Sequence, residues 1–356
     1  MADVELRFHR DMLVLSAPAD AVLARQGIDA ARDRQYLNLM EPDAMRDALR
    51  LEIIAGAHCL VTPTEDITRA RLSHLNMDGD DSRLASAALA IAAELKPQHV
   101  LVEIGPCGLP LDPFSKGSLN ENRGQYADAA RAFDGGAFDA FFLNGFTNIA
   151  DLKCALMGVA QVSGKPVFAS VTLGADGGSV ADAAIRPAGK SAASDADEIG
   201  NVMASYPFAA AGFEFVDDTP APPVPAAHRK ALDPEQWLEA IDAMVDLGAS
   251  VVGFETADPI ARAVAYAQAA VGRTNLPVLA QLRVPADDPS KGTRANKGLV
   301  PLEAIDEYTP DTMELAAVKL YAAGAQFLRA TGAATPAFTG ALAATVQGLD
   351  VRRVIE

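Results

Sequence analysis

Eight short apolar runs recur along the chain, separated by Ala-rich amphipathic stretches, and this alternation restricts the folds open to it. The runs are DMLVLSA (11–17), HCLVTP (58–63), HVLVEIGP (99–106), AFFLNG (140–145), PVFASVTL (166–173), SVVGFET (250–256), PVLAQLRV (277–284) and AQFLRAT (325–331). Each is nearly continuous in apolar residues, the pattern of a strand covered on both faces. Between them lie helical patterns such as EPDAMRDALRLEIIAGA, DSRLASAALAIAAELK, NIADLKCALMGVAQVSG, DPEQWLEAIDAMVDLGA and PDTMELAAVKLYAAGA. Several open on an Asn or Asp cap and stop at Gly-Ala, the start and stop chemistry of helices. The order predicts an α/β fold, a TIM-type parallel (β/α)8 barrel forming a single domain over residues 1–356. No GxGxxG follows the first run, which argues against an open dinucleotide-binding sheet.

Residues 174–233 break the rhythm between the fifth and sixth runs. Glycines and the cluster TPAPPVP predict a long insertion, with a short helix at SDADEIGNVMASY. A loop of that length in a compact domain serves as a lid or a partner contact, or is disordered. A second long connection, ADDPSKGTRANKGLVPLEAIDEYTP, follows the seventh run. Both connections emerge on the face where such barrels hold ligands.

Charge narrows the partners. The 356 residues carry a formal net charge of −17, which argues against nucleic acid and against an anionic membrane surface, since both need clustered cations. Three separated cysteines, Cys59, Cys107 and Cys154, form no CxxC pair, so neither a zinc ribbon nor a disulfide framework is expected. The opening MADVELRFHRDM has no apolar segment of the kind a secretory signal needs. No apolar run approaches the roughly 20 residues of a spanning helix, and a cytoplasmic protein is expected.

The landmarks between the strands are similar to those of the homocysteine S-methyltransferase family, zinc-dependent barrels that move a methyl group onto homocysteine sulfur. AGAHCLVTPT (55–64) resembles that family's second strand, and IGPCG (104–108) its turn after the third. DLGASVVGFETADP (246–259) resembles the passage ending in Gly-x-Asn-Cys, and LRATGAATP (328–336) the closing Gly-Gly-Cys-Cys-Gly-Thr-Thr-Pro turn. The resemblance implies a methyl-transfer or related small amino-acid or one-carbon enzyme, linked to methionine biosynthesis. It also implies zinc, yet the matching cysteine positions are Thr256, Thr331 and Gly332, so no metal ligand and no cofactor is expected. Other family positions are altered too: Ser16-Ala17, Asn144-Gly145 and Arg283 stand where the family has Asp-Gly, Glu-Thr and Asn.

Barrel chemistry resides at the carboxyl ends of strands. Those positions hold Ser16, Glu103, Asn144, Glu255, Thr256, Arg283, Arg329 and Thr331. On a functional reading, Glu103 and Glu255 are catalytic, holding a substrate amine or acting as general base. Asn144, Thr256, Arg283, Arg329 and Thr331 then bind substrate, the two arginines receiving its anionic group. On the competing reading, Glu255–Arg329 and Glu103–Arg283 are internal ion pairs. In that case the barrel is a non-catalytic subunit, with the resemblance implying a corrinoid- or folate-linked protein partner and self-association left open. Lesser candidates have plainer roles. Cys107 fills a turn, His58 is hydrogen-bonded and faces away from Cys59, Trp237 anchors a helix, and Lys291, Arg294 and Lys297 form a solvated basic loop.

Overall fold

In the computed structural model, residues 4–28, 30–174, 231–286 and 308–352 are described. Their strands are β1 (Leu13–Val14), β2 (Cys59–Val61), β3 (His99–Ile104), β4 (Ala140–Phe146), β5 (Val167–Leu173), β6 (Val251–Thr256), β7 (Val278–Val284) and β8 (Phe327–Gly332). All pair in parallel, in the order β1-β8-β7-β6-β5-β4-β3-β2. The ends of that order meet: His58 N–H donates to Val14 O at 2.8 Å and Ser16 N–H to Cys59 O at 2.9 Å, closing a (β/α)8 barrel. Every expected run contributes one strand.

Local chemistry sets the helices between them. Asp233 caps the helix Pro234–Asp246 and Thr309 caps Pro310–Ala322, each in a reciprocal capping box with Pro in the first turn. At their far ends the Gly-Ala pairs fold the chain back, with Ala249 N–H on Met244 O at 2.9 Å and Ala325 N–H on Leu320 O at 3.0 Å. Those bonds satisfy carbonyls that the last turn would leave unpaired, and they aim the chain into β6 and β8. Trp237 is buried as expected, its Nε1–H on Tyr266 O at 3.1 Å and its ring against Phe254.

Two cores result. Outward strand residues such as Val252, Phe254 and Leu328 pack under the helices. Inward residues, among them Leu13, Cys59, Leu101, Phe142, Phe168 and Phe327, fill the barrel's lower half. Phe8, after the short 3-10 turn Val4–Arg7, stoppers the bottom with edge contacts to Phe168 and Phe327. The strand interior is therefore a largely apolar plug below, with a polar layer near the top.

The expected insertion lies outside the described residues apart from its stem. There Leu232 N–H reaches Thr172 O at 2.9 Å and Gly174 N–H reaches Leu232 O at 3.1 Å, so the two ends of the segment meet on the edge of β5. Lys291, Arg294 and Lys297 also lie outside the described residues. Among the described helices none is long and apolar enough to cross a membrane.

Glu52, in the helix Pro42–Ile54, ties the ring's seam to the last helix. Its buried carboxylate accepts Ala17 N–H at 2.9 Å and Thr339 Oγ1–H at 2.6 Å. Desolvation pushes its pKa up, opposed by those two hydrogen bonds and by the charge of Arg329. A carboxyl raised in the folded state stabilises the fold fully below its unfolded value near 4.5, and that contribution is lost as pH rises through the folded value. Glu52→Gln, which removes the charge, is expected to flatten this part of the stability–pH curve. Glu52→Ala strands the Ala17 and Thr339 donors and is expected to cost about 2–4 kcal/mol. Urea denaturation between pH 4 and 8 measures both.

Candidate active site

Strand alternation decides which side chains enter the barrel. On β7 and β8 the register pairs Gln281 with Arg329 and Arg283 with Thr331, so the inward residues form two successive layers. The lower layer is sealed. Arg329, 2% exposed, donates Nε–H to Ser16 O at 2.9 Å and Nη1–H to Glu103 Oε1 at 3.3 Å and Gln281 Oε1 at 3.2 Å. Its guanidinium also lies 5.3 Å from the centre of the Phe142 ring. Glu103 Oε1 accepts Asn144 Nδ2–H at 2.6 Å, and Gln281 Nε2 donates to Asn144 Oδ1 at 2.8 Å and Ser170 Oγ at 2.7 Å. These contacts tie β1, β3, β4, β5, β7 and β8 together across the barrel.

In the upper layer Arg283 reaches solvent while Glu255 and Thr331 stay buried beneath it. Arg283, 41% exposed, donates Nη2–H to Glu255 Oε2 at 2.7 Å and Nε–H to Oε1 at 3.2 Å, a fork suited to a carboxylate. Thr331 Oγ1–H donates to the same carboxylate at 2.5 Å. Burial alone would push Glu255 upward. The Arg283 charge, the bonds from Arg283 and Thr331, and the charge of Arg329 outweigh it, so the carboxyl titrates below its ordinary value. Glu255 is therefore ionised at neutral pH.

The ion pairs are thus exchanged relative to the sequence expectation: Glu255 pairs with Arg283, and Glu103 with Arg329. The two arginines sit one inward position apart, so the deeper one reaches across to β3 while the shallower one leans onto β6. Thr256, next to Glu255, turns its hydroxyl to accept Asp258 N–H at 3.1 Å. The structure brings Glu103, Asn144 and Arg329 together in one layer and Glu255, Arg283 and Thr331 in the next.

Glu65 and Arg34 complete the rim, and neither is among the residues that the sequence singles out. Arg34, from the helix Ala30–Met40, donates Nη1–H to Glu65 Oε2 at 2.9 Å and Nε–H to Asp20 Oδ1 at 2.9 Å. Gln281 is a further addition, although its place two residues before Arg283 puts it on the same face. Glu65 directly follows the AGAHCLVTPT stretch (55–64) that resembles the family's second strand, a signal that could have found it. Nothing local marks Arg34.

The outlying candidates have the plain roles expected. His58 Nδ1 accepts Val14 N–H at 3.1 Å, and Cys59 is buried inside the barrel. Cys107 is buried with Sγ 3.0 Å from Asn122 Oδ1. Among the described residues no cluster of three His, Cys, Asp or Glu side chains could hold a metal ion. Gly332 is committed sterically: φ is +67°, and a Cβ there would lie 2.4 Å from Val284 O. Any side chain at that position needs the backbone to move.

An eight-stranded barrel with its polar groups gathered at the carboxyl ends of the strands is the class of scaffold that carries enzymes on one face. The sequence matches the homocysteine S-methyltransferase family over residues 19–253, and the chain belongs to that family. The matched residues end at Gly253, two positions before Glu255. Its fold is similar to that of the homocysteine methyltransferase MmuM from Escherichia coli. The metallated form is 14% identical, covers 94% of this chain and 96% of that one, and has a TM-score of 0.62. The oxidised form, with the same coverage and 15% identity, has a TM-score of 0.59. No curated protein matches the sequence.

Replacing Arg329 with Met leaves Glu103 buried and unpaired, which is expected to cost about 3–5 kcal/mol. Glu103→Gln in the same chain removes that orphaned charge and is expected to restore at least half of the loss. Chemical denaturation of the two variants beside the wild type checks the pair.

Proposed function

We propose that this barrel is a zinc-independent enzyme of methyl transfer or a related one-carbon reaction, acting on a small amino-acid-like substrate at its mouth. One observation carries the reading: the half-exposed Arg283 guanidinium stands over buried Glu255 and Thr331, above a sealed layer, inside a scaffold of the homocysteine S-methyltransferase family. Arg283 offers a guanidinium edge to a substrate carboxylate, and ionised Glu255 offers an anion to its ammonium. Asn144, Glu103 and Arg329 hold the floor of that pocket in shape rather than touching substrate. A cytoplasmic enzyme connected with methionine formation fits this reading.

The family's zinc does not fit the residues present. Zinc needs thiolate or imidazole donors at about 2.0–2.3 Å in a tetrahedral set. Thr331 spends its hydroxyl proton on Glu255, Thr256 accepts a backbone N–H, and Gly332 has no room for a side chain. A guanidinium beside Glu255 repels a divalent cation from the same place. Ligation of substrate sulfur by zinc therefore forms no part of the proposed chemistry.

A second reading, a non-catalytic subunit docking a corrinoid- or folate-linked protein, draws support from the lower layer. There Arg329, Glu103, Asn144 and Gln281 satisfy one another and leave little for a ligand to do. Calorimetry with L-homocysteine and L-methionine separates the readings, alongside elemental analysis of the purified protein. The enzyme reading expects binding that weakens about tenfold or more in Arg283→Met, with zinc well below one per chain. Absence of binding by either amino acid sinks the enzyme reading, and stoichiometric zinc sinks its metal-free form.

A further inference from the structure

Glu65 follows directly on the 55–64 stretch, and its setting is built. Thr62 and Thr64 share a hydrogen bond at 2.7 Å, Thr64 Oγ1–H donates to Glu103 O at 2.8 Å, and Glu103 N–H returns to Thr62 Oγ1 at 3.2 Å. These bonds clamp the segment after β2 onto the end of β3. Gly105 N–H then donates to Glu65 O at 2.7 Å. A Cβ at Gly105 would lie 2.6 Å from Glu65 Cγ, so only glycine lets the Glu65 side chain run past. Its carboxylate, 34% exposed, ends against Arg34 at the rim.

Charged groups surround it from several elements. Asp66 is adjacent in the same segment and paired with Arg71 at 2.8 Å, while Arg34 shares its charge with Asp20. Glu103 on β3 and Glu255 on β6 add negative charge, and Arg283 on β7 adds positive. Burial raises the Glu65 carboxyl most, Arg34 lowers it, and Asp66, Glu103 and Glu255 raise it further, to about 7. Glu255 is held below its ordinary value by its own partners, so the two carboxyls divide the work. One stays an anion and the other exchanges a proton near neutral pH.

We propose that Glu65 is the proton acceptor of the mouth, deprotonating the thiol of an amino-acid-like substrate held by Arg283 and Glu255. This rests on the function proposed above and assigns within it the task that a metal would otherwise perform. In the step, the S–H bond breaks, its electron pair stays on sulfur as thiolate, and the proton forms a neutral carboxylic acid at Glu65 beside Arg34. No oxidant or second reactant is needed. Thiols ionise at about 8.5, and a base poised near the working pH is the effective one for such a proton.

The test measures thiolate by its ultraviolet difference absorbance when L-homocysteine binds, across pH 6 to 9, in wild type, Glu65→Gln and Glu65→Asp. L-Methionine, which has no thiol proton, serves as the binding control in each protein. Wild type and Glu65→Asp are expected to form bound thiolate near pH 7, and Glu65→Gln roughly tenfold less, with methionine binding equal in all three. Equal thiolate in Glu65→Gln overturns the assignment and leaves the proposed function standing. Loss of methionine binding in that variant also overturns it, because Glu65 would then be holding the pocket's shape. Failure of both amino acids to bind the wild type overturns the function and this assignment with it.

Discussion

A guanidinium sealed inside a barrel has to be matched, and much of this structure answers to that demand. Arg329 gives its donors to Ser16, Gln281 and Glu103, which lie on or beside three different strands. Glu103 is the ion-pair partner of Arg329, and Gln281 and Asn144 hydrogen-bond to what those two leave unsatisfied. The outcome is a polar girdle above an apolar plug. Such a girdle fixes the relative heights of the strand ends, and with them the positions of Glu255, Arg283 and Thr331 in the layer above. Positioning of the mouth is thus inherited from a buried charge.

The mouth shows how environment separates chemically identical groups. Glu255 and Glu65 are both carboxyls at strand ends, both near arginines. Glu255 takes two bonds from Arg283 and one from Thr331, so its charge is stabilised more than burial penalises it. Glu65 shares Arg34 with Asp20 and faces three other acids, so burial prevails. The same logic places Gly332 beyond simple repair: its left-handed backbone and its approach to Val284 O make the closing turn incompatible with a cysteine.

Much of the architecture is legible in the order of residues. Runs covered on both faces have no alternation to misread, and the Gly-Ala stops and Asp, Asn and Thr caps are local chemistry that acts wherever the helix packs. Glu103, Asn144, Glu255, Arg283, Arg329 and Thr331 can be named from the chain because a polar residue in an apolar strand stands out. Their pairing cannot. Which arginine meets which glutamate depends on strand register and stagger, and the expected pairs are exchanged in the folded barrel. Arg34 carries no mark in the sequence because its helix is brought over the mouth by packing on the helices Pro42–Ile54 and Asp81–Leu95, with nothing in its own neighbours to announce it.

By itself, the sequence determined the number of strands, their parallel sense and the identity of most inward polar residues, since periodicity and capping act over a few residues. Only the tertiary structure decided the layers: that Arg329 lies one step deeper than Arg283, that Glu65 feels the charges of Glu103 and Glu255, and that Gly332 touches Val284. Those relations join residues on different strands, many of them far apart in the chain. They arise when the ring closes and each buried charge takes the nearest partner that the register allows.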